Sequence, residues 1–173
     1  NSTIAIKAEK DGEAQYVTAK GEKVNVITSD TEVTGNPTVT TTEALKSEKT
    51  QDGNSVDVKV SRKNVNEYVK EIDGDQMQKD TAEGLEASLK DLDEKVENNN
   101  DESVKEFKKA AAKLQTMSSH SALSTLDSLS GQIYASSQAL TFEQSQTINK
   151  DLTNRLVMLG TMDDSKEKFG LWL

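Results

Sequence analysis

The apolar residues of this chain change period once, near residue 63. Before that point they alternate, most cleanly as Val56, Val58 and Val60 in "SVDVKVSR". After it, Val65, Tyr68, Val69 and Ile72 recur at i, i+3, i+4 and i+7. A strand repeats its face every two residues and a helix every 3.6, so the two halves cannot share one kind of element. The expected fold class is α+β. It has an N-terminal β-strand region over 1–62, the end of a β-helix or a small sheet, followed by a mostly helical C-terminal part.

Turn chemistry divides the first half into short strands. Asp11-Gly12 supplies the positive φ of a tight hairpin, Gly21 turns the chain again, and Gly35-Asn36-Pro37 and the "QDGN" stretch at 51–54 mark two more turns. "EAQYVTA" between the first two turns is expected to be a strand, as is Thr-rich "EVTGNPTVTTT". In the second half Leu85, Leu89, Leu92 and Val96 form one helical stripe. Val104, Phe107, Ala111, Leu114 and Met117 form another, and Ala122, Leu123, Leu126 and Leu129 a short third. Asn99 followed by Glu102 has the spacing of a capping box. The helical spacer is placed at 63–129.

Composition narrows the function classes. Apolar residues are 33% and aromatics 4%, too few for one large core, so thin cores or an elongated shape are expected. A net charge of −9 argues against nucleic acid as a partner and against docking on an anionic membrane surface. With no cysteine, disulfides and thiol chemistry are excluded. No apolar run of membrane-spanning length and no signal peptide is present, and the opening "NSTIAIKAEK" reads as the continuation of a longer protein.

Residues 130–160, "SGQIYASSQALTFEQSQTINKDLTNRLVMLG", differ from the rest. Ser130 has the chemistry of an N-cap, Thr141 with Gln144 of a second capping box, and Gly160 of a C-cap. From Thr141 to Leu159 a helix would run about 28 Å at about 1.5 Å per residue. Its apolar line is thin, being Ile148, Leu152, Leu156 and Leu159, and amides and hydroxyls cover most of the remainder. Such a surface suits a polar but confined space. Packing of the same line on the other helices or on a second copy of the chain, a homodimer, is the structural alternative.

No active site is expected. The single His lies in Ser119-His120-Ser121 at a helix start, where capping explains it better than a Ser-His-Asp triad. Asp73-Gly74-Asp75 lacks the later oxygen ligands of a calcium loop and reads as a turn. Asp91, Asp93 and Glu94 are assigned to the outer face of a helix, with no cleft to shift their acidity. No phosphate-binding Gly-rich loop is present. The expectation is therefore a non-enzymatic segment with no cofactor and no metal.

The stretch Leu129, Ser130, Gly131, Gln132, Ile133, Tyr134, Ala135 and Ser136, followed by Ala139, Leu140, Arg155 and Leu156, resembles the segment just upstream of the β-barrel in monomeric (type Va) autotransporters of Gram-negative bacteria. "FGLWL", with Gly170, Leu171 and Trp172, resembles the start of the first barrel strand, placed at 161–173. The match covers about a quarter of the chain; 1–62 resembles the last coils of a β-helical passenger more loosely, and 63–129 the helical spacer of some members. The resemblance implies that 130–160 is a linker and pore helix joining the passenger to its outer-membrane barrel and assisting passenger folding and secretion. A barrel has a polar lumen and an apolar band about 25 Å tall, which matches a helix of that length and polarity. It implies the protein's own β-barrel and the barrel assembly machinery as partners, and a place at the cell surface and outer membrane, reached through the periplasm. Two other readings stand beside it. One is an adhesin-type module binding host or bacterial ligands, with Thr-rich 32–42 as the first surface to test. The other is a secreted subtilisin-like serine protease whose catalytic domain lies upstream.

Overall fold

The computed structural model describes the backbone of residues 2–137 and 152–158 and the side chains of 2–130 and 152–158. The chain is α+β, with strands before residue 63 and helices after it. The short strands are β1 (Thr3–Ala5), β2 (Glu9–Lys10) and β3 (Glu13–Ala14). They are followed by β4 (Glu22–Thr28), β5 (Thr38–Thr40), β6 (Leu45–Asp52) and β7 (Ser55–Arg62). They form small sheets. β1 pairs with β5 in parallel, β2 with β3 as a hairpin, and β4, β7 and β6 make an antiparallel sheet with β7 at its centre.

The turns obey their residues. Asp11 and Gly12 both take positive φ, 54° and 82°, as a type I′ hairpin turn requires. Gly53 does so at 52° while Asn54 does not, the II′ pattern that closes β6 onto β7. In β7, Val56, Val58 and Val60 are buried, while on the other face Asp57 forms an ion pair with Lys23 and Lys59 lies opposite Glu48 in the register. Gly21 has φ 74°, and a Cβ there would lie 2.2 Å from the Val60 carbonyl oxygen. Gly21→Ala is therefore expected to cost about 1–3 kcal/mol of strain, read as a lower urea midpoint at an unchanged slope.

Two expected strands are shorter than the sequence implied. "EAQYVTA" pairs only at Glu13–Ala14, and "EVTGNPTVTTT" only at Thr38–Thr40. Residues 15–21 instead run as a strap held by helix side chains, described below. Propensity favoured a strand there, but among the described residues no neighbouring strand supplies a continuous ladder.

The helices are α1 (Val65–Glu71), α2 (Gln76–Glu97), α3 (Lys105–Thr116) and α4 (Ser119–Ser137). Residues 152–158 are also helical. α1 starts on Asn64, whose side chain accepts from the Asn66 N–H, and α2 starts on a reciprocal capping box between Asp75 and Gln78. Asn99 does not begin a helix. It sits at φ 53° past the end of α2, where its N–H and that of Asn100 reach back to the Val96 and Lys95 carbonyls. This is a Schellman ending, and an amide side chain tolerates its left-handed residue better than most. Asp73 does the same after α1, and Gly74 donates to the Val69 carbonyl at 2.8 Å.

One apolar cluster gathers Val65, Tyr68 and Val69 of α1, the leucine stripe of α2, Phe107, Ala111 and Leu114 of α3, and Ala122, Leu126 and Leu129 of α4. Leu152 and Leu156 belong to the same cluster, each 2% exposed. A smaller cluster of Leu45, Val58 and Val60 lies on the sheet, with Ile6, Ala8, Val17, Val26 and Val39 against it. The thin, divided cores fit the low apolar content.

Candidate functional site

The two cores meet at Arg62. It is the last residue of β7, on the same face as Val56, Val58 and Val60, and only 3% exposed. A guanidinium on an apolar register needs carboxylates, and α2 supplies two. Arg62 Nη1 donates to Glu86 at 2.8 Å and Nη2 at 3.1 Å. Nη2 and Nε donate to Asp93 Oδ2 at 2.7 and 2.9 Å. Glu86 and Asp93 are 5% and 7% exposed. Glu86 also accepts the Val65 N–H at 2.9 Å, which fixes the start of α1.

Asp93 reaches further, to the strap. It accepts the Tyr16 hydroxyl at 2.7 Å and the Ala19 N–H at 3.4 Å. From α3, Gln115 completes the hold: its side-chain oxygen accepts the Val17 N–H at 2.9 Å, and its amide donates to the Val17 carbonyl at 2.8 Å. The side chain thus acts as a one-residue substitute for a neighbouring strand. The Arg62 N–H closes the strap from the sheet side, donating to the Thr18 carbonyl at 3.1 Å. Sheet, strap and helices are therefore joined by one buried polar clasp with one cation and two carboxylates.

Electrostatics follow from that composition. Burial alone would lower the Arg62 pKa, but the hydrogen bonds it donates to Glu86 and Asp93 outweigh that and hold the guanidinium above its ordinary value. Burial pushes the Tyr16 phenol well up, with the Asp93 carboxylate acting the same way against Arg62. Burial, then Glu43 and Glu71, push Tyr68 up to about 12. An unfolded tyrosine ionises near pH 10. Between about pH 10 and about 12 the folded chain therefore keeps a proton at Tyr68 that the unfolded chain has lost, and stability falls as pH rises. The Tyr68 hydroxyl has no partner among the described residues. Tyr68→Phe is expected to leave neutral-pH stability nearly unchanged and to reduce the alkaline loss, as seen in urea midpoints across that window.

The clasp corrects the placement of Asp93. Asp91 and Glu94 are exposed, but Asp93 turns inward. The signal was present in the sequence: Glu86 and Asp93 are seven residues apart, two helical turns, and flank the Leu85, Leu89, Leu92 stripe, while Arg62 continues the Val56, Val58, Val60 alternation. The clasp contains no His, and both of its carboxylates are engaged by Arg62. His120 is exposed near the start of α4, where Ser118 provides the cap by accepting the Ser121 N–H at 3.3 Å. No group of His, Asp and Glu among the described residues is disposed to hold a metal.

Ser130 is also corrected. It does not cap a new helix; α4 runs through it, and the division at 129/130 falls inside that helix. Its hydroxyl donates to the Asp127 carbonyl at 2.8 Å, so a buried serine is satisfied without ending the helix. Gly131, Ile133, Tyr134, Ala135 and Ser136 continue the α4 backbone. Arg155 is half-buried beside Leu152 and Leu156 in the helical stretch 152–158. Leu140, Ile148, Leu159, Gly170, Leu171 and Trp172, with the caps read at Thr141 and Gly160, lie outside the described residues.

A second feature is an open groove of about 400 Å³ over the β4 side of the sheet. Its apolar lining includes Ile6, Ala8, Val17, Val24 and Val60, with Lys7 and Glu22 among its charged residues. Val24, 45% exposed, is where the apolar face of the sheet is left uncovered. No family model, no curated protein and no solved structure matches this chain.

Proposed function

We propose that the chain is a non-enzymatic segment of a surface autotransporter, joining the end of its passenger to an outer-membrane barrel and assisting passenger folding. The resemblance over 129–136, 139–140 and 155–156 motivates this reading. The observation that supports it best is the sharing of one core: Leu152 and Leu156, from the segment expected next to the barrel, pack with α1–α4. The clasp at Arg62 in turn ties that helical unit to the strap and the central strand of the sheet. A segment that folds locally can thereby hold the end of a β region whose strands pair over longer distances. Helices close short loops and form early, whereas long-range strand pairing is slow.

In this fold Leu152 and Leu156 face the helical core, so residence of 152–158 in a barrel lumen requires those leucines to leave it. Deleting 130–160 from the full-length protein is the test. Loss of protease-resistant passenger at the cell surface is expected, and unchanged display of a folded passenger refutes the role. The groove above β4 favours a second reading, a binding module. Saturable attachment of the purified chain to cells, lost on Val24→Asp, would support that reading instead.

A further inference from the structure

Three Asp-Gly pairs occur in the chain, at 11–12, 52–53 and 73–74, and the fold treats them differently. Among aspartates, one followed by glycine is the most open to spontaneous ring closure, because glycine has no Cβ to shield its amide. The Gly nitrogen attacks the Asp side-chain carboxyl carbon, a C–N bond forms and one water leaves, giving a succinimide. Water then adds to either ring carbonyl. One opening restores aspartate, and the other yields isoaspartate, whose main chain runs through the side-chain carbon and is one methylene longer. No oxidant or cofactor is consumed.

We infer that Asp11-Gly12 is a site of isoaspartate formation in the folded protein, that Asp52-Gly53 reacts more slowly, and that Asp73-Gly74 is protected. At all three the aspartate is exposed. The Gly12 and Gly53 amides have no hydrogen-bond partner among the described residues, and a Cβ at either glycine would meet nothing within 4 Å. Gly74 is the opposite case. It is buried, its N–H is held by the Val69 carbonyl at 2.8 Å, and a Cβ there would lie 2.3 Å from Val69 Cγ1. Its nitrogen cannot swing to its neighbour's carboxyl without undoing the end of α1.

The two free pairs are ranked by the hairpins that carry them. β2 and β3 are joined at only two residue pairs, Glu9↔Ala14 and Lys10↔Glu13, so the 11–12 turn opens at small cost. The 52–53 turn closes the eight pairs from Leu45↔Arg62 to Asp52↔Ser55 and is held more firmly. An extra methylene at Asp11 breaks the two-residue turn and with it the short β2–β3 register.

The test is to age the purified chain at neutral pH and physiological temperature, folded and in urea, and map isoaspartate by fragmentation mass spectrometry of its peptides. In urea the three sites are expected to react at similar rates. In the folded chain Asp73 is expected to fall more than about tenfold behind Asp11, with Asp52 between them. Equal rates at Asp11 and Asp73 in the folded chain overturn the inference, as does absence of the product at Asp11. Asp11→Glu, whose longer side chain closes such a ring poorly, is expected to remove the leading product and leave the other two sites as they were.

Discussion

Replacing Arg62 by Met lowers the unfolding free energy by about 3–5 kcal/mol, the expected cost of leaving two buried carboxylates without their cation. The variant keeps the apolar stem and most of the volume of the side chain, so the loss reports chiefly the missing charge and its hydrogen bonds. Glu86 and Asp93 are each under a tenth exposed and cannot turn to water without moving α2. In a domain of this size the shift in Tm is roughly 10 °C. Arg62→Lys recovers little of it, since an ammonium cannot bridge both carboxylates as the Nε and two Nη groups do. Adding Glu86→Gln and Asp93→Asn to Arg62→Met is expected to return much of the stability, because neutralising the network removes the uncompensated charge. Thermal unfolding of these three variants, with Glu86→Gln and Asp93→Asn made singly beside them, decides this. Additive losses would mean the three side chains do not act as one unit.

The second large effect is at Leu152. Leu152→Asp removes a side chain that is 2% exposed from the helical core and puts a carboxylate in its place. Truncating a buried leucine alone costs about 2–5 kcal/mol, and an unpaired buried carboxylate adds to that. The helical stretch 152–158 is expected to leave the core, with a lower Tm and weaker protection of α2 and α4. Met158→Asp, on the exposed side of the same stretch, is the control and is expected to change little.

These two positions also show what could be read in the sequence. Period alone placed the strand-to-helix change at residue 63 and the leucine stripes of α2 and α4, because those residues have one apolar face and one partner surface. It placed Leu152 and Leu156 on a common line, and both are buried. It did not reach the clasp. Charged residues read as solvent-facing until a partner is found, and the partners of Arg62 lie 24 and 31 positions away on another element. Gln115 was invisible for the same reason: its role is to satisfy the Val17 backbone, and no local pattern marks a side chain that substitutes for a strand. "EAQYVTA", which leads into the strap, has the composition of a strand yet pairs as one only at Glu13–Ala14. Whether such a segment joins a sheet depends on the neighbour it meets. Ser130 misled at 129/130 because a serine hydroxyl can start a helix or bond back within one. What distinguishes the two is in the fold: α4 continues through 130, and the hydroxyl donates back to the Asp127 carbonyl.

Through the clasp, the folded state of the sheet depends on the helical unit that 152–158 completes. Hydrogen exchange at the backbone amides of β7 in Leu152→Asp measures that dependence. The clasp predicts that Val56, Val58 and Val60 lose protection together with α2, since Arg62, Glu86 and Asp93 connect them. If β7 keeps its full wild-type protection while α2 and α4 lose theirs, the sheet stands by itself and does not depend on 152–158.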